Sequence, residues 1–356
     1  MPQTETVQNP IVSVLIVTWN SAGTIQECLK SLRETTERLD FEVIVVDNAG
    51  SDGTAGIVKN DHPWVRLIET GANVGFARAM NLAASLARGR YLFLFNPDAR
   101  VENDAVSILA GFLDADKEAG AASPDILEAG GGRSLAAVQK RPTLVDQFLR
   151  QFGLRRLWSH RGLKKSGPEP SRGDRLSGSA MMIPARVWSK VGPLNEELPL
   201  YFEDLDISTR IERAGLSLWR VPEAVVVHTG ECSAEVFPQR RMLLAMENGQ
   251  APWMYFNLYH SPLAALIFNL TIFGGSLFRL LTAWTVGWVA FIRGDYGKAW
   301  RKRITANSSA LLGWSWGSKK DFLIKVQFRF YGGPGAEKAG PVERGDTLRS
   351  PAGNSD

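Results

Sequence analysis

Acidic side chains in this sequence fall just past apolar runs, where a folded sheet would present them along one rim. Asp47 closes the run FEVIVVD and is followed by small residues and Asp52. A carboxylate there can accept an N–H hydrogen bond from a ligand, whereas Asp52 can as readily cap the next helix. Asp98 ends the triplet NPD; a hard divalent cation asks for oxygen ligands of this kind, with Asn96 at best a neutral helper. Glu203, Asp204 and Asp206 crowd into four positions at an expected helix start. Repulsion among them raises a proton affinity while the helix N-terminus lowers it, and the balance stays open at this level. His228 ends a Val-rich run ahead of Thr229 and Gly230. A neutral imidazole can ligate the same kind of cation, and a strand-end histidine can equally be a satisfied polar residue.

A scaffold able to gather these groups is legible from Ile11 to about Leu127, where apolar runs alternate with stretches of helical spacing. That is the pattern of βα units on a mainly parallel sheet. Strands are expected at Val12 to Thr18, Phe41 to Asp47, Val65 to Glu69 and Tyr91 to Phe95. The runs VSVLIVTW, FEVIVVD and YLFLF are apolar on both alternating faces, as strands are when helices cover both sides of a sheet. An open doubly wound sheet binds ligands at the carboxyl ends of its strands, so Thr18, Asn20, Asp47, Asn48, Asn96 and Asp98 are expected on one rim. Further on, a short strand in SGSAMMIP, a turn at Gly192 and Pro193, a helix from about Glu203 to Ala214 and a strand from Ala224 to His228 complete the domain. Between them, residues 129–175 dissolve into AGGGRS, a basic stretch with Trp158 and His160, and the breaker-rich SGPEPSRG. This stretch is expected to be a mobile basic insertion or lid.

The opening VSVLIVTWNSAGTIQECLKSL followed by VIVVDNAGSDGT resembles the donor-binding half of family 2 glycosyltransferases. GANVGFARAMNLAASLARGRYLFLFNPDA resembles the rhamnosyltransferase-like branch of that family, and GSAMMIPARVWSKVGPLNEELPLYFEDLDISTRIERAGLSLWRVPEAVVVHTG its acceptor half. The resemblance spans roughly residues 11 to 230. It implies a GT-A-type doubly wound mixed sheet and an inverting transfer from a nucleotide diphosphate sugar, with deoxythymidine diphosphate rhamnose as donor and a UDP- or GDP-sugar as the alternative. Thr18, Asn20, Asp47, Asn48, Asn73, Gly75, Arg78, Asn81 and Asn96 are then donor-binding, with Asp47 accepting from the base. Asn73 is also a plausible helix cap, and Arg78 also a plausible solvated charge. Asp98 and His228 would hold a divalent metal, Mg2+ or Mn2+; relatives often carry Asp-X-Asp where NPD keeps one carboxylate. By resemblance Asp204 is the base that takes the acceptor proton, while Gly178, Ser179 and Glu203 line the acceptor site.

The ends of the chain differ in character. MPQTETVQNP lacks the basic and apolar regions of a signal peptide, so residues 1–10 are expected to be a tail and the 11–241 transferase domain to face the cytoplasm. Cys28 and Cys232 show no metal-ligand spacing. Residues 242–330 are expected to form an apolar and basic helical region: PWMYFNLYHSPLAALIFNLTIFGGSLF carries no charged residue, and RKR follows at 301–303. Such a segment suits a peripheral or monotopic position at an anionic membrane surface, where a polyprenyl-diphosphate-linked saccharide acceptor is anchored. The alternative is a face for homo-oligomer formation. Residues 331–356, rich in breakers, are expected to be disordered. The net charge of +4 is small, its basic residues are clustered, and no nucleic-acid partner is expected.

Other activities fit less well. A sugar nucleotidyltransferase normally has a Gly-rich phosphate loop with Arg and Lys after the first strand, where TWNSAGT stands here. A glycosidase would use two carboxylates but leaves the donor-like half unexplained. A non-catalytic scaffold would be expected to lose Asp47, Asp98, Asp204 and His228.

Overall fold

The computed structural model describes residues 10–36, 38–128, 134–135, 138–152, 154, 167–198, 202–229 and 251–292. The expectations for residues 1–9, for Trp158 and His160, for 293–330 and for the tail 331–356 lie outside the described residues. In chain order the elements are β1 (Val12–Thr18), α1 (Ile25–Thr35), β2 (Phe41–Asp47), α2 (Thr54–Asp61), β3 (Arg66–Glu69), α3 (Phe76–Leu86), β4 (Tyr91–Phe95), β5 (Ala99–Val101), α4 (Ala105–Ala115), β6 (Ala119–Glu128), β7 (Ser134–Leu135), β8 (Val138–Gln139), α5 (Leu144–Gln151), β9 (Ser171–Arg172), β10 (Arg175–Leu176), β11 (Ala180–Pro184), α6 (Ala185–Val191), α7 (Glu203–Arg213), β12 (Ser217–His228), α8 (Ala251–Tyr259) and α9 (Pro262–Ile292).

Every residue of β1 is buried, because its two faces feed two different layers. Val12, Val14 and Ile16 pack with Ile25, Leu29 and Leu32 of α1 and Leu109 and Leu113 of α4. Leu15 and Val17 pack instead with Met80 and Ala83 of α3 and Ile207 and Ile211 of α7. One sheet carries both layers, ordered β3-β2-β1-β4-β11-β6-β12-β5, with β7 on β6 and β9 on β12. The first four strands are mutually parallel, β11 enters antiparallel to β4 and β6, and β12 runs parallel to β6. The sheet is therefore mixed, as expected, and four expected strands agree with β1 to β4 to within a residue.

Strand β6 is not legible as a run of β-formers. Its sequence AGAASPDILE is rich in small residues, yet it sits mid-sheet between β11 and β12 and is buried over most of its length. Small residues are needed there because α7 crosses close by: a Cβ on Gly120 would stand 2.3 Å from Ile211 Cγ2 and 2.8 Å from Leu216 Cβ. Gly120→Val is expected to destabilise the fold by about 1–3 kcal/mol through overpacking. An unchanged urea midpoint would show that α7 yields freely.

The stretch expected to be a mobile insertion contains defined structure where it is described. Helix α5 begins at Thr143, whose hydroxyl accepts from Asp146 N at 3.1 Å. Its far end lies against α9, where Gly275 has no side chain to meet Gln151, and Phe152 and Phe278 rings lie 5.4 Å apart. α9 itself is 31 residues long, about 46 Å at roughly 1.5 Å per residue, and continues past Arg279, the residue that ends the uncharged run. Its segment Pro262–Arg279 has a mean hydropathy of 1.3 and is long and apolar enough to cross a membrane. One face is committed to protein: Phe268 and Ile272 join Tyr255 and Phe256 of α8, Leu205 of α7 and Phe202 just ahead of it in one apolar cluster. The other face leaves Leu263, Leu266, Leu270 and Leu281 exposed.

Candidate active site

The register of the sheet decides which polar residues meet. Thr18 and Asp47 are paired at the carboxyl ends of β1 and β2, and the Thr18 hydroxyl donates to Asp47 Oδ1 at 2.8 Å. Gly50 N donates to the other oxygen at 3.2 Å. Burial pushes the Asp47 carboxyl above its ordinary range, against these two hydrogen bonds. Asp52 is a structural cap: its carboxylate accepts from Thr54 N and Ala22 N. Asn20 adopts a left-handed backbone, φ 54°, and its side-chain oxygen accepts from Ser51 N at 2.7 Å.

Asn48 is buried and spans to the start of α3: its amide donates to Asn73 Oδ1 at 2.8 Å and its oxygen accepts from Val74 N. Asn73 Oδ1 also accepts from Gly75 N at 3.0 Å, which leaves its buried Nδ2 without a hydrogen-bond partner among the described residues. Gly75 has φ 89°, a conformation that L side chains resist. Asn81 and Arg78 face elsewhere. Both Asn81 amide hydrogens are used on Leu194 O and Glu196 Oε1, its oxygen accepts from Leu194 N, and Arg78 pairs with Glu196 at 3.0 Å. In this structure the two residues fasten the loop after α6.

Asp98 and His228 are brought together by pairing of β12 with β5, in which His228 lies opposite Ala99. Thr229 N and its hydroxyl both donate to the Asp98 backbone carbonyl, fixing the crossing. His228 Nε2 is 3.1 Å from Asp98 Oδ1 and 3.2 Å from Asn96 Nδ2. Nε2 has one in-plane position to use: protonated, it donates to Asp98 Oδ1; unprotonated, its single lone pair accepts from Asn96 or, once Asn96 turns away, is open to a cation beside the Asp98 carboxylate. Asp98 Oδ2 is buried with no hydrogen-bond partner among the described residues. An imidazole nitrogen beside a carboxylate whose second oxygen is buried and unsatisfied among the described residues supplies donor atoms that fit a divalent cation. No cluster of three or more His, Cys, Asp or Glu side chains suited to a metal occurs among the described residues. The remaining ligand positions would have to come from substrate or water.

The acidic cluster adjoins this pair through the turn before β11. Asn96 N donates to Ser179 O at 3.0 Å, Ser179 and Ser177 hydroxyls lie 2.9 Å apart, and Gly178 N donates to Asp204 Oδ2 at 3.3 Å. A Cβ on Gly178 would stand 3.2 Å from that of Asp204, so the glycine lets the turn reach the carboxylate. The three acids have separate fates. Asp206 is buried against Arg210 at 2.7 Å and accepts from the Tyr259 hydroxyl, which bolts α7 to α8. Asp204 meets Arg175 Nη2 at 2.8 and 2.9 Å through its two oxygens. Glu203 Oε2 accepts from Phe202 N; burial, with the Asp204 charge next to it, pushes its carboxyl up to about 7. Sequence inspection missed Arg175, whose only signal was a cation directly ahead of the LSGSA run.

A raised Glu203 has a consequence for stability. The unfolded carboxyl releases its proton near pH 4.5 and the folded one near 7, so over that window the folded state binds more protons and stability falls as pH rises. Glu203→Gln keeps the acceptor for Phe202 N and removes the charge. Its melting temperature relative to the parent is expected to be higher at pH 8 than at pH 4; an equal difference at both would mean that Glu203 titrates normally.

A mixed sheet that lines up strand-end polar groups, a carboxylate–imidazole pair and an acid-tipped helix defines a GT-A-type α/β transferase. The same fold appears in the mannosyltransferase from Pyrobaculum calidifontis solved with GDP-Man and Mn2+, at a TM-score of 0.50 and 18% identity over 90% of this chain and 87% of that one. The Glycosyl transferase family 2 model matches residues 13–161, so this part of the chain is similar to that family; the protein is a glycosyltransferase. It is 29% identical over 235 residues to N-acetylglucosaminyl-diphospho-decaprenol L-rhamnosyltransferase of Mycobacterium tuberculosis, covering 61% of this chain and 76% of the relative. It is also 29% identical over 110 residues to an abequosyltransferase of Salmonella typhimurium, covering 30% of this chain and 33% of that protein.

Proposed function

We propose that this glycosyltransferase moves L-rhamnose from deoxythymidine diphosphate rhamnose, with inversion, onto a polyprenyl-diphosphate-linked saccharide at the cytoplasmic face of a membrane. The observation that carries the chemistry is the Asp98–His228 pair with its unpartnered carboxylate oxygen, one turn away from Asp204. Similarity to the decaprenol-linked rhamnosyltransferase supports the choice of donor and acceptor.

In this reading Asp98 and His228 would hold Mg2+ or Mn2+, which would supply positive charge against the departing nucleotide diphosphate. Asp47 and Thr18 lie at the base end of the donor, where the buried carboxylate can accept from a pyrimidine N–H. Asn73 turns its spare amide hydrogens, and Gly75 its open backbone, toward ribose and phosphate oxygens. Asp204 orients the acceptor hydroxyl and takes its proton as the new bond to the anomeric carbon forms. The bond from that carbon to the diphosphate oxygen breaks on the opposite face, and its electron pair leaves with the nucleotide. The exposed leucines of α9 give the acceptor site an apolar flank suited to the membrane surface.

The test is nucleotide release by purified protein offered a panel of sugar nucleotides, with and without divalent metal, using lipid diphosphate-linked and simple soluble acceptors. Metal-dependent release of deoxythymidine diphosphate that requires the lipid acceptor is expected. Release from a UDP- or GDP-sugar would change the donor, and turnover at full rate in chelator would remove the metal.

A further inference from the structure

We propose that Arg175 is a specificity-determining positioning residue: it occupies Asp204 until the anionic diphosphate of the acceptor draws the guanidinium away and opens the carboxylate to the acceptor hydroxyl. This rests on the reading of the acceptor given above.

The hydrogen-bond inventory at Asp204 is the starting point. Arg175 Nη2 bridges both oxygens, Leu205 N donates to Oδ1 at 2.7 Å and Gly178 N to Oδ2 at 3.3 Å. A carboxylate offers about four lone-pair directions, and these donors use them. A general base must present a lone pair within about 2.6–3.2 Å of the hydroxyl it deprotonates. Among the described residues that donate to Asp204 only Arg175 does so through its side chain, so of these it alone can withdraw by rotating side-chain bonds without moving the backbone.

Withdrawal needs another anion. The side chains of Arg175 and Asp204 are only 16% and 10% exposed, and a guanidinium taken from its partner in such surroundings carries a large penalty unless a new charge receives it. Phosphate oxygens fit its planar fork. Position favours an anion attached to hydrocarbon. The guanidinium carbon lies 5.6 Å from the centre of the Phe202 ring, and Phe202 belongs to the apolar cluster with Phe256 and Phe268 from which α9 extends its exposed leucines. A cation therefore sits where the base meets the apolar C-terminal helices, the arrangement that matches a headgroup diphosphate on a prenyl chain.

The experiment compares the full chain with Arg175→Ala and Arg175→Lys on two acceptors: a short-chain prenyl diphosphate-linked N-acetylglucosamine and the same prenyl chain joined to the sugar without the diphosphate. The parent is expected to favour the diphosphate acceptor by about tenfold to a hundredfold in kcat/KM, the range of one or two charge-assisted hydrogen bonds. Arg175→Ala is expected to abolish that preference through a raised acceptor KM, with the donor KM unchanged and the neutral acceptor used at least as well. Arg175→Lys should restore part of the preference, and supplies the comparison if the alanine variant fails to fold. A preference retained without Arg175, or an equal fall on both acceptors, overturns the inference alone. A raised donor KM would also overturn it by assigning Arg175 to the donor diphosphate. A parent enzyme that uses only the neutral acceptor overturns the acceptor reading together with the inference.

Discussion

Asp204→Asn is expected to lower kcat by about a thousandfold while leaving nucleotide binding intact, since positioned general bases contribute roughly 10²–10⁴ in rate. The substitution is nearly isosteric. The side-chain oxygen can still accept from Leu205 N, and the fold of α7 is held independently by Asp206 on Arg210 and Tyr259. What is lost is the ability to take a proton. The variant also leaves Arg175 facing a neutral amide, so a modest loss of stability is expected beside the kinetic effect. Steady-state transfer assays and calorimetric titration with nucleotide separate the two. Near-parental turnover with normal donor binding would exclude Asp204 as the base and turn attention to Glu203, its neighbour with the raised proton affinity.

Asp98→Ala is expected to weaken the apparent affinity for activating metal by at least about tenfold to a hundredfold, the range seen even when outer partners of a site are removed. At saturating metal, turnover should still fall by roughly 10²–10³, as for loss of one charge-stabilising group. The backbone crossing survives, because Thr229 bonds to the carbonyl of residue 98 and not to its side chain. His228→Ala removes the nitrogen from the same pair and should shift the metal titration in the same direction. Metal titrations of initial rate, with nucleotide binding followed in chelator, provide the check. A metal dependence unchanged in Asp98→Ala would reduce the pair to a structural contact between β5 and β12.

The first half of the sheet was largely legible because its information is local. β1, β2 and β4 are mainly apolar and largely buried runs, and a polar residue stands at the end of each or one position beyond it: Thr18, Asp47 and Asn96. A strand with helices on both faces has to read this way. β6 was not legible, since its Gly120 answers to the approach of Ile211 and Leu216, a packing constraint set by residues about ninety positions away. Asn81 and Arg78 show that family likeness does not by itself say what a side chain touches. They stand in the most family-like stretch of the chain, yet their side chains are used on Leu194 and Glu196. An amide or guanidinium suited to phosphate is equally suited to a carbonyl or carboxylate, and only the fold determines which is nearer.

By itself the sequence determined the α/β class, the strand-end positions of Thr18, Asp47, Asn96, Asp98 and His228, the acidic start of α7 and the apolar character of the C-terminal helices. These follow from side-chain periodicity and composition, which every segment carries within itself. Tertiary structure alone decided the pairings: His228 with Asp98 through the register of β12 on β5, Asp204 with Arg175 from the stretch that reads as an insertion, Asp206 with Tyr259, and Phe202 with the helices after residue 250. Such pairings depend on strand register and on the close approach of helices distant in sequence. Both are properties of the packed whole, and no local run of residues encodes them.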